Sequence, residues 1–131
     1  MDQSVLVKAG HLIVKGLSEL GLSPRAALWV HSTDTDTWKL WIVPHESLKD
    51  KREFYRHLVS IVANHRSELG GIDAADAEMI AYTHPLIQGM RGVFKATGES
   101  VINVKNSVFN GYYVEDAIIV EADLPLPRQQ A

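Results

Sequence analysis

The sequence contains no cysteine, no strong excess of one charge and no long uninterrupted apolar run. Without cysteine the chain has no disulfide framework, no thiol nucleophile and no cysteine-ligated zinc. A formal net charge of −3 gives no nucleic-acid footprint at the level of the whole chain. Lys8, His11 and Lys15 interrupt the apolar residues near the N-terminus, and no small-residue cleavage site follows them. The sequence therefore predicts neither a signal peptide nor a membrane span, and a soluble, cytoplasmic protein is expected.

Length and composition are those of one ordinary globular domain. The 131 residues include 46% hydrophobic and 22% charged residues, which suffices for a core without a metal or disulfide staple. The last eight letters, LPLPRQQA, hold two prolines and no apolar period. The sequence predicts a single globular domain over residues 1–123 and a flexible C-terminal tail over residues 124–131.

Apolar periodicity predicts three helices and about five strands. The predicted elements are helices over residues 2–20, 48–69 and 85–94, a hairpin within residues 26–43, a short strand at EMIAYT, and a final hairpin around Asn110 and Gly111. Ser47 is the predicted N-cap of the second helix. The order αββαβαββ indicates an α+β or mixed α/β fold with a mixed sheet, because the second helix can cross over between two strands.

The first predicted hairpin is apolar on both faces. If Ser32 pairs with Thr37, one face carries Ala27, Trp29, His31, Trp38, Leu40 and Ile42, and the other carries Ala26, Leu28, Val30, Lys39, Trp41 and Val43. Such a hairpin lies centrally in its sheet, with cover on both sides. Three helices leave one face short of cover, so the sequence predicts a homodimer. The predicted contact is the face bearing Trp29, Trp38 and Leu40, or the opposite face bearing Trp41 and Val43.

The second predicted hairpin contains two adjacent carboxylates, Glu115 and Asp116, within the apolar stretch VFNGYYVEDAIIVE. An Asn-Gly turn fixes the register, and counting back from it places Lys105 directly opposite Asp116. The predicted core face of this hairpin holds Ile102, Val104, Val108, Tyr113, Ala117 and Ile119. Two interpretations of the charges stay open: an ordinary cross-strand ion pair, or a ligand-binding polar patch made of Asn103, Lys105, Ser107, Asp116 and Tyr112.

The other chemical motifs are weaker. Asp34 and Asp36 lie at a hairpin tip, where acidic residues are common turn formers, and the glycine and late glutamate of a calcium loop are missing. His57 and His65 are separated by more than the one-turn spacing of zinc-binding helices. The charges of KDKREFYRH alternate in sign, as on a solvated helix, and no GxSxG elbow or phosphate-binding glycine pattern is present. The sequence thus predicts no catalytic residue, metal site, cofactor, nucleic-acid partner or membrane partner.

The segments AALWV, WKLWIVP, FYRHL, HPLIQGMRG and FNGYYVEDAII together resemble a group of small uncharacterised bacterial proteins over about residues 26–121. The resemblance implies a bacterial origin and a single-domain layout. It implies no catalytic residue, because that group has no assigned activity.

Two functions remain open. The first is a small non-enzymatic interaction or accessory module that presents a sheet face or edge to a second copy or to another protein. The second is a small enzyme or ligand-binding domain that uses the polar patch around Lys105 and Asp116. A pocket at that patch favours the second function, whereas an open or subunit-covered face favours the first.

Overall fold

The computed structural model describes residues 2–98 and 100–124, and within them the chain forms three α-helices and six β-strands. The helices are α1 (Gln3–Glu19), α2 (Lys51–Asn64) and α3 (Pro85–Met90). The strands are β1 (Ala26–Ser32), β2 (Thr37–Val43), β3 (Ala77–Met79), β4 (Lys95–Ala96), β5 (Ile102–Phe109) and β6 (Tyr112–Asp123). The α+β class is confirmed. The sheet has one strand more than expected because β4, with two residues, is too short to produce a readable pattern.

The helix ends differ from the predicted ones for local reasons. Asp50, not Ser47, caps α2, because its carboxylate accepts the backbone N–H of Arg52 at 2.9 Å. The helix also ends earlier than predicted, where a short 3-10 turn takes over. Similarly, α3 ends at Met90, and the φ of +73° at Gly92 shows that the chain has left helical geometry by that point.

The six strands form one mixed sheet in the order β3-β2-β1-β6-β4, with β5 also paired to β6. β2 and β3 are parallel and the other pairs are antiparallel. β4 and β5 both lie on the side of β6 that faces away from β1. Both predicted hairpin registers are confirmed: Ser32 pairs with Thr37, and Lys105 lies directly opposite Asp116. The central place of the β1–β2 hairpin and its two apolar faces are confirmed as well.

One face of the sheet is covered by α1 and α2. Trp29 is 1% exposed, and its indole Nε1–H donates to the carbonyl of Leu6 in α1 at 2.6 Å. The helices approach closely at Gly16, where an added Cβ would lie 2.7 Å from the Cγ2 of Ile61. Of the first predicted dimer face, Trp29 and Leu40 are buried within the chain and Trp38 is partly exposed; the homodimer itself stays a prediction.

The opposite face is covered in part by α3 and the segments that flank it. Leu28 and Val43 from the sheet pack there with Leu86 and Ile87 of α3. Helices therefore lie on both faces, and of the second predicted dimer surface Val43 is buried whereas Trp41 is partly exposed. Leu124 belongs to this cluster, so it is part of the domain and not of the tail; residues 125–131 lie outside the described residues.

The outer half of the β5–β6 hairpin reverses the predicted faces. Val108 and Tyr113, predicted to be core residues, are 63% and 58% exposed, whereas Phe109 and Tyr112 pack against the α3 cluster. The cause is Asn106, whose φ of +47° breaks the alternation of a regular strand. The register was therefore predicted correctly, but the orientation of the outer half was wrong.

Candidate functional site

The predicted polar patch does not converge into one site. Asn103 and Lys105 are exposed on β5, and the Ser107 hydroxyl donates to the carbonyl of Lys105 at 2.9 Å. Tyr112 instead belongs to the α3 side of the sheet. Although Lys105 and Asp116 oppose each other in register, their side chains form no ion pair in the described structure.

Asp116 is nevertheless unusual among these residues. Its Oδ1 atom is buried and accepts no hydrogen bond from any described residue. A buried carboxylate oxygen without a donor costs free energy, so such an atom marks a place where a cation or a donor would be favourable. Asp116 therefore stays a candidate for binding a cation or a hydrogen-bond donor, although it forms no ion pair with Lys105.

A wide cleft lies along α1, between this helix, the turn at Gly98 and Glu121 of β6. This α1 groove has a volume of about 690 Å³. Its lining residues are Val7, Lys8, His11, Leu12, Val14, Lys15 and Ser18 from α1, together with Gly98 and Glu121. The volume falls within the range of about 300 to 1,000 Å³ that is usual for small-molecule sites.

Helical spacing explains why these α1 residues share one wall. Val7, His11, Val14 and Ser18 follow each other at steps of four, three and four residues, which places them on one side of a helix. Lys8, at the next position after Val7, widens the same wall. The wall is about 16 Å long, because eleven steps from Val7 to Ser18 each rise about 1.5 Å. It combines apolar side chains with ammonium groups at its rim.

The two lysines of the groove are available to a ligand. Lys8 and Lys15 are exposed, and neither forms an ion pair with a carboxylate of residues 2–98 or 100–124. One ring nitrogen of His11 is already engaged in a hydrogen bond, because its Nε2 lies 3.1 Å from the carbonyl oxygen of Ser100. A carbonyl can only accept, so this nitrogen carries the proton and donates it. The contact fixes the turn before β5 against α1 and shapes the groove.

Glu121 reaches the groove because β6 is irregular beside β1. The pairs Leu28–Ile119 and Ala27–Glu121 leave Val120 as an additional residue, which is a β-bulge. Val120 packs in the cluster under α1, and the next residue, Glu121, lines the groove on the same side of the sheet. Burial, with a smaller contribution from the charge of Asp123, raises the pKa of the Glu121 carboxyl.

The other charged motifs have local partners. The Nε2 of His31 lies 2.9 Å from the Oδ1 of Asp36, and His65 lies 3.3 Å from Glu68 one turn further on. Among the described residues no group of three or more histidine, aspartate or glutamate side chains could hold a metal ion. No helix in the same part of the chain combines the length and apolarity needed to cross a bilayer.

The α1 groove was not predicted, although its residues carried a signal. In the sequence, Lys8, His11 and Lys15 interrupt an apolar run. On a helix they occupy one side at spacings of three and four residues, which indicates a basic rim beside the buried stripe. Glu121 gave no usable signal, since its orientation depends on a bulge that alternation alone does not reveal.

Comparisons with protein-family models, curated protein sequences and solved structures found no match.

Proposed function

We propose that this protein is a binding domain for a small organic anion with an apolar body, held in the α1 groove. The observation that carries the proposal is the pairing of apolar α1 side chains with two exposed lysines in one cleft of about 690 Å³. Val7, Leu12 and Val14 provide apolar contact, and Lys8 and Lys15 provide positive charge. An anionic head group joined to an apolar chain matches both features.

The expected affinity is low. Burying about 100 Å² of apolar ligand surface contributes about 2.5 kcal/mol, at about 25 cal/mol per Å². An exposed ion pair adds about 0.2 to 1 kcal/mol. Together these contributions of about 2.7 to 3.5 kcal/mol correspond to a dissociation constant of about 3 to 10 mM, so millimolar ligand concentrations are needed to observe binding.

Glu121 gives the binding a defined pH dependence. When ionised, this carboxylate repels an anionic ligand in the same groove, while Lys8 and Lys15 attract it. Because burial raises the pKa of Glu121, part of its protonation occurs above the usual range for glutamate. Binding of the anion therefore strengthens as the pH falls through this titration, and Glu121→Gln strengthens binding at neutral pH.

The test uses octanoate as the probe, with acetate and octanol as matched compounds that lack the chain and the charge, respectively. Amide chemical shifts measured by NMR should move in α1 and around Gly98 and Glu121 with octanoate, and much less with either control. The double variant Lys8→Gln with Lys15→Gln should weaken binding about fivefold or more, which corresponds to about 1 kcal/mol.

Lys49→Gln with Lys51→Gln is the matched control variant, since it removes two positive charges at exposed positions outside the α1 groove. This control should bind octanoate like the natural chain. The proposal is wrong if millimolar octanoate moves no α1 amide, or if both double variants weaken binding equally.

We also propose self-association as a second candidate function, through the outer face of the β5–β6 hairpin. Val108 and Tyr113 oppose each other there and are both more than half exposed. Exposed apolar side chains in contact favour a partner surface, and a two-fold dimer needs only one such patch. Light scattering should show a dimer that becomes a monomer in Val108→Thr with Tyr113→Thr. A monomeric mass for the natural chain at high micromolar concentration rejects this candidate.

A further inference from the structure

A second cleft lies where the two hairpins of the sheet separate. β1 and β6 pair from Ala26–Ala122 to Val30–Ala117, and their pairing ends there. Beyond this point β1 continues with β2 as its partner, and the first residues of β6 continue with β5 as theirs. Each of these strand segments therefore has a neighbour on one side only. Half of the backbone N–H and C=O groups of such a segment point toward the side without a strand.

The inter-hairpin cleft, which is the space between the separated strands, has a volume of about 320 Å³. Its walls are residues 30–33 of the first hairpin and residues 112–115 of β6. Val30, Trp41 and Val114 provide an apolar floor, and Glu115 is the carboxylate among its lining residues. The amine of Lys39, at the same cleft, donates to the carbonyl of Ala75 at 2.8 Å and is already engaged.

Contacts with α3 hold the cleft open. An added Cβ on Gly89 would lie 2.9 Å from the backbone carbon of Phe109 and 3.0 Å from the backbone nitrogen of Asn110, so the hairpin tip rests directly on the helix. The side-chain amide of Asn110 also donates to the carbonyl of Pro85 at 3.4 Å. The outer half of the β5–β6 hairpin is thereby packed on α3 and not on β1, and the separation of the strands is built into the fold.

The two adjacent carboxylates lie at the point where the strands part. Ala117 is the last residue of β6 paired with this end of β1, and Asp116 and Glu115 are the next two residues toward the hairpin tip. Glu115 is exposed and lines the cleft, while the Oδ1 of Asp116 is buried without a donor among the described residues. The exposed carboxylate of Glu115 favours a cationic group arriving from outside, whereas Asp116 is not among the residues that line the cleft.

We propose that the inter-hairpin cleft binds an extended segment of another protein, with apolar side chains alternating with basic ones. The two strand edges supply backbone donors and acceptors, which recognise a peptide backbone by strand addition. The apolar floor takes side chains from one side of the segment, and the exposed carboxylate of Glu115 attracts its basic residues. The α1 groove uses other residues, so this inference stands or falls independently of the proposed anion binding.

The test uses an acetylated and amidated hexapeptide, TKVTVK, as the probe. Amide shifts measured by NMR should move at residues 31–33 and 112–116 and leave α1 unchanged. Two matched peptides define the chemistry: TEVTVE reverses the charge, and a version of TKVTVK with alternate backbone amides methylated removes the strand donors. Both should bind much more weakly than TKVTVK.

Glu115→Lys should weaken binding of TKVTVK about fivefold or more, whereas Glu78→Lys, at an exposed residue of β3, should leave it unchanged. Circular dichroism of both variants verifies folding before titration. The proposal is overturned if TKVTVK at millimolar concentration moves no cleft amide, or if the methylated peptide binds equally well. It is also overturned if Glu78→Lys has the same effect as Glu115→Lys. Shifts at residues 31–33, which lie outside the Val108 and Tyr113 surface, that depend on protein concentration without peptide would show a second copy in the cleft and would reject a heterologous segment.

Discussion

The conformation of Asn106 determines which side chains of the second hairpin face the core, and replacing this residue tests that conclusion. Its φ is +47°, and its Oδ1 accepts a hydrogen bond from the hydroxyl of Tyr113 at 2.8 Å. Asparagine is one of the few residues other than glycine that adopts left-handed backbone geometry readily. Alanine lacks this tolerance, and glycine adopts the geometry without steric cost.

The two substitutions are therefore expected to differ. Left-handed geometry costs an ordinary residue about 1 to 2 kcal/mol, and an exposed hydrogen bond contributes about 0.5 to 1 kcal/mol. Asn106→Ala loses both and should reduce the free energy of unfolding by about 1.5 to 3 kcal/mol. Asn106→Gly loses only the hydrogen bond and relieves strain, so its change should stay within about 0.5 kcal/mol.

Urea unfolding followed by tryptophan fluorescence measures both values, since Trp29, Trp38 and Trp41 all lie in the sheet. Val108→Lys is an additional measurement, because a side chain that is 63% exposed should accept a charge at a cost of no more than about 0.5 kcal/mol. Equal destabilisation by Asn106→Ala and Asn106→Gly, or a loss of several kcal/mol in Val108→Lys, would refute the reversed orientation.

Two further predictions concern charged residues. A double-mutant cycle with Lys105→Ala and Asp116→Ala should give a coupling free energy close to zero. The strand register places the two residues opposite each other, but their side chains form no ion pair. A coupling free energy above about 1 kcal/mol would contradict this. Glu121→Gln should raise the melting temperature at neutral pH. The pKa of Glu121 is raised on folding, so the free energy of unfolding decreases as the pH rises through the folded-state pKa. The higher melting temperature of the variant should therefore disappear as the pH falls toward the ordinary pKa of glutamate, about 4.3.

The parts of the fold that were predicted correctly depend on short-range rules. The Asn110–Gly111 turn fixes the register of the second hairpin, and the pairing of Ser32 with Thr37 follows from the polar turn between them. Both rules use neighbouring residues and do not require knowledge of the rest of the chain. The placement of the β1–β2 hairpin at the centre followed from its two apolar faces, which is a consequence of burial alone.

The errors arise where a single backbone angle has long-range consequences. Asn106 fits an alternating strand by sequence, yet its positive φ exchanges the inward and outward faces beyond it. The bulge at Val120 has a similar effect and turns Glu121 toward α1. Neither irregularity changes the number of strands or their order, so the fold class survives while the positions of the functional candidates change.

The same irregularities account for both candidate sites. The bulge at Val120 places a carboxylate in the α1 groove, and the left-handed residue Asn106 turns the outer hairpin toward α3 and away from β1. A regular β6 would point Glu121 to the other face, and a regular β5 would leave Val108 in the core. Departures from regular strand geometry cost stability, and proteins retain them mainly where a side chain or an edge has to be redirected. The two irregular positions of this sheet therefore support the α1 groove and the inter-hairpin cleft as its binding surfaces.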